Sequence, residues 1–159
     1  MSIADRYPAA ELPVGGGLVS LSPLPGRAGD LSGDLARLKA WGADLVVSLV
    51  EPPELPPGYA AALERVALPW IALPIPDYGV PRDEAVDRRL NGLLADLSRG
   101  GRIAVHCMGG CGRSGMVVAR LMVLAGEPAE AAVARLREVR PCAIETPAQL
   151  AWVRRKVPS

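Results

Sequence analysis

The chain has 159 residues, of which 50% are hydrophobic and 22% are charged, and its formal net charge is +1. This length fits one domain with a sizeable core, and the composition is that of an ordinary globular protein, which excludes a disordered one. The near-neutral charge argues against broad attraction to nucleic acid or a membrane, so we expect neither as a partner.

The first seventeen residues end in three consecutive glycines, which predicts a flexible lead-in and a folded domain over residues 18–159. The N-terminus has no basic stretch followed by an apolar run, so no signal peptide is expected. The apolar run at residues 116–125 is interrupted by Arg120 and is too short to span a bilayer. We therefore expect a cytoplasmic protein, and we expect a monomer.

In the first half of the chain, a short strand is predicted at residues 18–21. A helix follows over residues 31–41, where leucines recur at helical spacing before Gly42. The run at residues 44–50 is apolar and β-branched, the pattern of a strand covered on both faces. A short helix near residues 59–66 comes next.

A strand at residues 70–74 opens the second half, and the Pro-Asp-Tyr-Gly-Val-Pro loop at 76–81 follows it. Residues 83–99 have helical periodicity that ends at two glycines, and a strand is predicted at 103–106. Three more helices are predicted, near residues 114–125, 128–139 and 147–157.

This alternation of strands and helices predicts a single α/β domain, with a short, mostly parallel central sheet flanked by helices. In such folds the ligand site lies at the C-terminal edge of the strands. The loops after residues 50, 74 and 106 should therefore meet there.

The loop after the last predicted strand is rich in glycine and opens a helix. Its sequence is His106-Cys107-Met108-Gly109-Gly110-Cys111-Gly112-Arg113-Ser114. Glycines allow the backbone to fold inward, so the N–H groups of Met108 to Arg113 can converge at the positive end of the helix. This pattern predicts a cradle for a tetrahedral oxyanion such as phosphate.

Two side chains give this cradle its chemistry. The guanidinium of Arg113 can grip two phosphate oxygens at once, which a lysine could not reproduce. A helix N-terminus and a nearby cation also favour the ionised form of a cysteine. We therefore expect Cys107 to be a thiolate at neutral pH without a general base.

The string Cys107-x5-Arg113-Ser114, preceded by His106, resembles the signature loop of cysteine-dependent protein tyrosine phosphatases. The short chain is similar to the dual-specificity branch, and most similar to the cyclin-dependent kinase-associated phosphatase type and its bacterial relatives. Residues 76–81 resemble the family's general-acid loop, and residues 145–149 resemble its later Gln-containing segment. The resemblance implies a phosphatase that uses no metal and no cofactor.

The expected roles follow from this chemistry. Cys107 attacks phosphorus and forms a phosphocysteine, while Asp77 protonates the leaving oxygen and then activates water. The resemblance implies that the Ser114 hydroxyl stabilises the departing thiolate. His106 should point away from Cys107 and hold the shape of the loop instead of acting as a base.

Several of these assignments have alternatives. Asp77 also fits an ordinary turn, and Asp83 is a substitute acid that fits a helix cap better. Gln149 is assigned to water placement with helix capping as the alternative, because Glu145 occupies the position that most resembles the family's Gln.

Further residues near the predicted site receive simpler expectations. An odd number of cysteines in a chain without a secretion signal favours free thiols. We expect Cys111 to be a small filler whose thiol could trap oxidised Cys107. We expect Cys142 to be an inert residue packed in the core. Glu51 and Glu54 fit a solvated turn. Arg27 and Arg140 fit either substrate contacts or structural contacts, and neither role is assigned.

The loop positions Met108, Gly109 and Cys111 are all uncharged, which favours a phosphomonoester with little additional charge. We expect phosphorylated proteins or peptides as partners, with phosphotyrosine preferred because phenoxide leaves more readily than an alkoxide. The alternatives are a non-protein phosphomonoester, a catalytically silent phosphoprotein-binding module, and rhodanese-type sulfur transfer, for which the spacing between Cys107 and Arg113 is too long.

Overall fold

The computed structural model describes residues 6–83 and 85–158. At its centre is a five-stranded sheet with the strand order β1-β2-β5-β3-β4. The strands are β1 Ala10–Val14, β2 Gly17–Ser22, β3 Leu45–Ser48, β4 Trp70–Ala72 and β5 Arg102–His106. β1 pairs with β2 in the antiparallel direction, and the pairings of β2 with β5, β5 with β3 and β3 with β4 are parallel. The predicted α/β class with a mostly parallel sheet is confirmed.

In the described part of the chain six α-helices surround this sheet, and each matches a predicted helix to within a few residues. They are α1 Leu31–Trp41, α2 Tyr59–Arg65, α3 Val86–Ser98, α4 Gly112–Leu124, α5 Ala129–Val139 and α6 Pro147–Val153. Asp30 caps α1 by accepting the N–H of Gly33, and Gly42 ends it in the left-handed conformation. Within the described ranges, no helix combines the length and the apolar character needed to cross a membrane.

Residues 10–14 form β1, although the sequence predicted a flexible lead-in there. Ala10, Leu12 and Val14 are buried and alternate with more exposed residues, the pattern of a half-buried edge strand. Gly15 and Gly16 both have positive φ and make the two-residue turn into β2. The glycines thus mark a hairpin, and the lead-in prediction is wrong for this stretch; its residues 1–5 lie outside the described part of the chain.

The two faces of the sheet are covered by different helices. Val46 and Ala104 pack with α1 and α2 on one face. Val47 and Val105 pack in the larger core that includes α3 to α6 on the other face. Residues 112–122 of α4 are all buried, which fixes the start of this helix firmly at the end of β5.

A buried ion pair joins α4 to α3. Arg120 is fully buried and donates from Nε and Nη2 to the two carboxylate oxygens of Asp87, at 3.0 and 2.8 Å. It also donates to the carbonyls of Val153, the last residue of α6, and of Arg155, which follows that helix. These bonds hold the pKa of Asp87 below its ordinary value.

We expect Asp87→Ala to lower the free energy of unfolding by about 3–5 kcal/mol, because it leaves a buried guanidinium without its counter-ion. Urea denaturation at neutral pH measures this loss. Glu130→Ala is the matched control, since Glu130 makes the same two-oxygen contact with Arg154 on the surface and should change stability little. Equal losses in the two variants would contradict the prediction.

Candidate active site

The glycine-rich loop lies at the carboxyl ends of the parallel strands, between β5 and α4. Cys107 is buried, with 3% of its surface exposed. Gly110 has a φ of +73°, and a Cβ there would lie 2.5 Å from the backbone carbon of Ser22. The loop thus passes so close to the end of β2 that only glycine fits at this point.

Arg113, the first-turn residue of α4, connects the three loops that were predicted to meet. Its side chain is 2% exposed and donates from Nη1 and Nη2 to the two carboxylate oxygens of Glu54, at 2.8 and 2.9 Å. Nη1 also donates to the carbonyl of Ile75 at 3.1 Å. Glu54 follows β3 and Ile75 follows β4, so the predicted meeting of loops is confirmed.

The charge of Arg113 is held in place by these contacts. Burial by itself would lower the pKa of Arg113, but the hydrogen bonds and charge of Glu54 outweigh burial and raise it. In return, the bond from Arg113 holds the pKa of Glu54 below its ordinary value. The pair is therefore ionised at neutral pH.

A guanidinium carries five N–H donors, and Glu54 and Ile75 take three of those on Arg113. The Nε–H and the second Nη2–H lie along one edge and make no hydrogen bond within the described residues. This edge has the spacing that binds two oxygens of a phosphate. One end of the guanidinium is thus anchored, while the other edge makes no hydrogen bond within the described residues and has the Asp77 carboxylate 3.3 Å from its Nη2.

Asp77 lies beside the same guanidinium. Its Oδ1 is 3.3 Å from Nη2 of Arg113 and accepts the N–H of Tyr78, and its side chain is about half exposed. Asp83, the substitute acid, instead accepts the N–H of Ala85, the residue just before α3, and the helix has no side-chain cap. Of these two carboxylates, the structure brings Asp77 to the arginine of the loop.

Ser114 is fully buried, and its Oγ has no hydrogen-bond partner within the described part of the chain. A buried hydroxyl without a partner is costly, and such groups are rare in folded proteins. Ser114 is the residue that the sequence assigned to the departing sulfur of Cys107. Its unused donor is available for that contact.

His106 belongs to a buried polar network behind the loop. Its Nδ1 lies 3.1 Å from the Cys107 carbonyl, which can only accept, so Nδ1 carries the proton. The hydroxyls of Ser48 and Tyr59 lie 2.6 and 2.9 Å from Nε2 and 2.9 Å from each other, so one of them donates to Nε2 and the other donates to its neighbouring hydroxyl. Burial lowers the pKa of His106 to about 4 and raises the pKa of Tyr59 to about 12. His106 is therefore neutral and bonded to the loop backbone.

Gln149 is fully buried in the cap of α6. Its Oε1 accepts the N–H groups of Glu145 and Thr146, and its Nε2 donates to the carbonyl of Gly79 in the Asp77 loop. These are the contacts of the capping alternative, and they tie the acid loop to α6. Glu145 is exposed, and its side chain lies against Gly112. A Cβ added at Gly112 would be only 2.3 Å from Oε1 of Glu145.

The prediction of free thiols at Cys111 and Cys142 is wrong, because these two residues form a disulfide. The segment after α5 returns to the start of α4, where Ile144 donates its N–H to the Cys111 carbonyl. This return brings together two cysteines that are 31 positions apart. Cys111 is then not available to trap oxidised Cys107, which is the remaining free cysteine.

The solvated-turn prediction for Glu54 is also wrong, since its carboxylate neutralises Arg113. A signal existed in the sequence: Glu54 follows a predicted parallel strand on the same edge as the glycine-rich loop. Glu51, in contrast, is half-buried and lies 3.6 Å from Arg82. Across the described residues, no group of three or more potential metal ligands comes together.

Comparison with known proteins gives one family. The model of the DSP-PTPase phosphatase domain of the Swiss Army Knife proteins matches residues 26–153. Two proteins of Methanocaldococcus jannaschii, uncharacterized proteins MJECL20 and MJ0215, are 36% and 35% identical over 87 and 88 residues. These matches cover 54% of this chain and 58% and 54% of the two proteins, so the chain spans about half the length of these relatives.

Solved structures agree with this result. Tk-PTP in its active form is 32% identical, with a TM-score of 0.76 over 93% of this chain and 95% of that one. Kinase-associated phosphatase carrying serine for its catalytic-site cysteine has a TM-score of 0.81 at 23% identity, over 91% and 90% of the two chains. PTPMT1 in complex with PI(5)P has a TM-score of 0.71 at 20% identity, over 86% and 87%. The last two likenesses concern the fold alone.

The buried neutral state of His106 predicts a pH dependence of stability. Unfolded histidine binds a proton below about 6.5 and the folded residue only below about 4, so lowering the pH between these values favours unfolding. We expect this residue to remove on the order of 3 kcal/mol of stability across that window. His106→Asn should lack this part, and because His106 is the only histidine, the difference between the two urea-denaturation profiles isolates it. Parallel profiles would contradict the prediction.

Proposed function

The chain belongs to the DSP-PTPase phosphatase domain family and is a cysteine-based phosphatase of the protein tyrosine phosphatase superfamily; from this premise we propose that it hydrolyses phosphomonoesters on proteins without a metal ion. Phosphotyrosine is the preferred substrate, and phosphoserine and phosphothreonine are also hydrolysed. The cytoplasmic location and the monomeric state remain predictions.

In the first step, the sulfur of Cys107 attacks phosphorus from within the loop. The S–P bond forms as the bond from phosphorus to the ester oxygen breaks, and Asp77 gives its proton to that leaving oxygen. The loop amides and the open edge of Arg113 hold the phosphoryl oxygens as their charge spreads.

In the second step, water attacks the phosphocysteine. Asp77, now ionised, takes a proton from that water, and the S–P bond breaks to release phosphate. The sulfur leaves as a thiolate, and the buried hydroxyl of Ser114 donates a hydrogen bond to it. The cycle returns Cys107 and Asp77 to their starting states.

One observation carries the proposal: a buried arginine is anchored at one end by Glu54 and keeps its other edge for an oxyanion beside Cys107. An arginine present only for stability would be expected to use all of its donors in a buried position. The unpartnered hydroxyl of Ser114 beside the same loop supports the same chemistry.

The choice of a protein substrate rests on the loop positions Met108, Gly109 and Cys111, none of which carries a charged side chain. PTPMT1, which shares the fold, is known in complex with PI(5)P, so a non-protein phosphomonoester is the second candidate. A silent binding module is disfavoured because Cys107, Arg113 and Asp77 are all present. The first candidate hydrolyses phosphopeptides, the second hydrolyses a non-protein phosphomonoester, and the binding module hydrolyses neither.

We expect metal-free turnover of phosphotyrosine peptides in the presence of a chelator, with slower release of phosphate from phosphoserine and phosphothreonine peptides. Cys107→Ser should abolish turnover but retain peptide binding, because the loop amides and Arg113 remain. Phosphate release and fluorescence-anisotropy titration measure the two properties. Faster turnover of PI(5)P than of any peptide would favour the second candidate, and peptide binding without turnover by the unaltered protein would favour the binding module.

Asp77→Asn should lower kcat by roughly 10²–10⁴-fold, the usual contribution of a general acid. The loss should be smallest for aryl phosphates whose leaving group needs no proton. Asp83→Asn is the matched control, because Asp83 binds the N–H of Ala85 before α3, and the change should leave kcat unchanged. Full activity of Asp77→Asn together with an inactive Asp83→Asn would reverse the assignment.

A further inference from the structure

The outer side of the glycine-rich loop is bound by two arginines that the sequence left unassigned. Arg140 donates from Nη2 to the carbonyl of Gly109 and from Nε to the carbonyl of Gly110, both at 3.0 Å. Arg27 donates from Nη1 to the carbonyl of Met108, also at 3.0 Å. Three successive carbonyls of the loop therefore face guanidinium groups.

These contacts determine where the loop amides point. In a planar trans peptide the C=O and the following N–H point in opposite directions. Carbonyls held toward Arg140 therefore direct the N–H groups of Gly110 and Cys111 to the other side of the loop. Arg27 and the backbone N–H of Leu24, which both bind the Met108 carbonyl, do the same for Gly109. Within the described residues, none of these three amides donates to a backbone acceptor. Their donors are left for a ligand.

The loop needs contacts that fix the orientation of its peptides, because its own residues do not fix it. Gly109 and Gly110 lack side chains that would favour one peptide orientation over its flipped alternative. A flipped peptide would present a carbonyl oxygen to a bound anion in place of an amide. The orientation must therefore be set by contacts from outside the loop.

Arg140 reaches the loop from a segment that is itself fixed to it. It follows α5 directly, and the same connection carries Cys142, which is bonded to Cys111, and Ile144, which donates to the Cys111 carbonyl. Arg140 is half-buried. Burial lowers its pKa while the Cys107 sulfur acts in the opposite direction, so its charge lies within electrostatic reach of the nucleophile.

We propose that Arg140 is a positioning residue that holds the Gly109 and Gly110 carbonyls outward and so keeps the loop amides in the arrangement that binds a phosphoryl group. This role rests on the proposed phosphatase function but differs from that of Arg113, which contacts the anion itself. Arg27 is exposed and binds one carbonyl, so its contribution is smaller.

Tungstate, a tetrahedral oxyanion, tests the arrangement without turnover when its binding is measured by calorimetry on Cys107→Ser protein. In this background Arg140→Gln should weaken tungstate binding about 10- to 100-fold, the range expected for hydrogen bonds to a charged group. Arg140→Lys should recover only part of this loss, because an ammonium lacks the fork that spans two carbonyls. In the Cys107 enzyme, Arg140→Gln should also lower kcat/KM.

Arg137→Gln is the matched control. Arg137 lies in α5 and also donates to two carbonyls, those of Ala143 and Ile144, but it does not contact the loop. It should keep tungstate affinity even if its melting temperature falls, and melting temperatures of all variants exclude global unfolding as the cause.

Unchanged tungstate binding in Arg140→Gln would overturn the proposal, as would an equal loss in Arg137→Gln or full recovery in Arg140→Lys. Tungstate binding that depends on Arg140 in a protein that turns over no phosphoester would instead refute the phosphatase function and leave this inference standing. Failure of the unaltered loop to bind tungstate would refute both.

Discussion

The fork between Arg113 and Glu54 is the contact on which the arrangement of the site depends. A guanidinium that is 2% exposed requires a partner for its charge, and the partner comes from the loop after β3. The same guanidinium binds the carbonyl of Ile75 after β4, so one side chain ties the loops after β3 and β4 to the start of α4. Because α4 is buried along residues 112–122, this junction is fixed to the centre of the protein.

The strands and helices were predictable because their signals are local. Apolar periodicity, glycines and turn residues identified all six helices and four of the five strands to within a few residues. β1 was missed because its five residues include Pro13, and because the glycines after it were interpreted as flexible when they form the turn of a hairpin. A glycine pair has the same sequence in both settings, and only the partner strand separates them.

In the candidate site, too, the residues with local signals were predictable and those with distant partners were not. Cys107, Arg113 and Ser114 lie within one short loop and helix start, so their spacing alone predicted an anion cradle. The groups that support them come from far along the chain: Glu54 is 59 positions from Arg113, and Cys142 is 31 positions from Cys111. From the sequence alone, a carboxylate in a turn is predicted to be solvated and a lone cysteine is predicted to be inert. Only the fold shows which distant residue each of them binds. Supports of this kind cannot be found from local patterns.

The charges at the site explain why the shape of the loop matters. Glu54 neutralises Arg113, so the charge of this guanidinium by itself gives an incoming anion little net attraction. A phosphoryl group must then be held mainly by directed donors, which are the loop amides, the helix N-terminus and the open edge of Arg113. An N–H donor no longer binds the anion when its peptide rotates, whereas the attraction of a bare charge does not depend on such a rotation. A site with this balance therefore requires contacts such as those of Arg140 on the far side of the loop, where they fix the direction of the amides without approaching the anion.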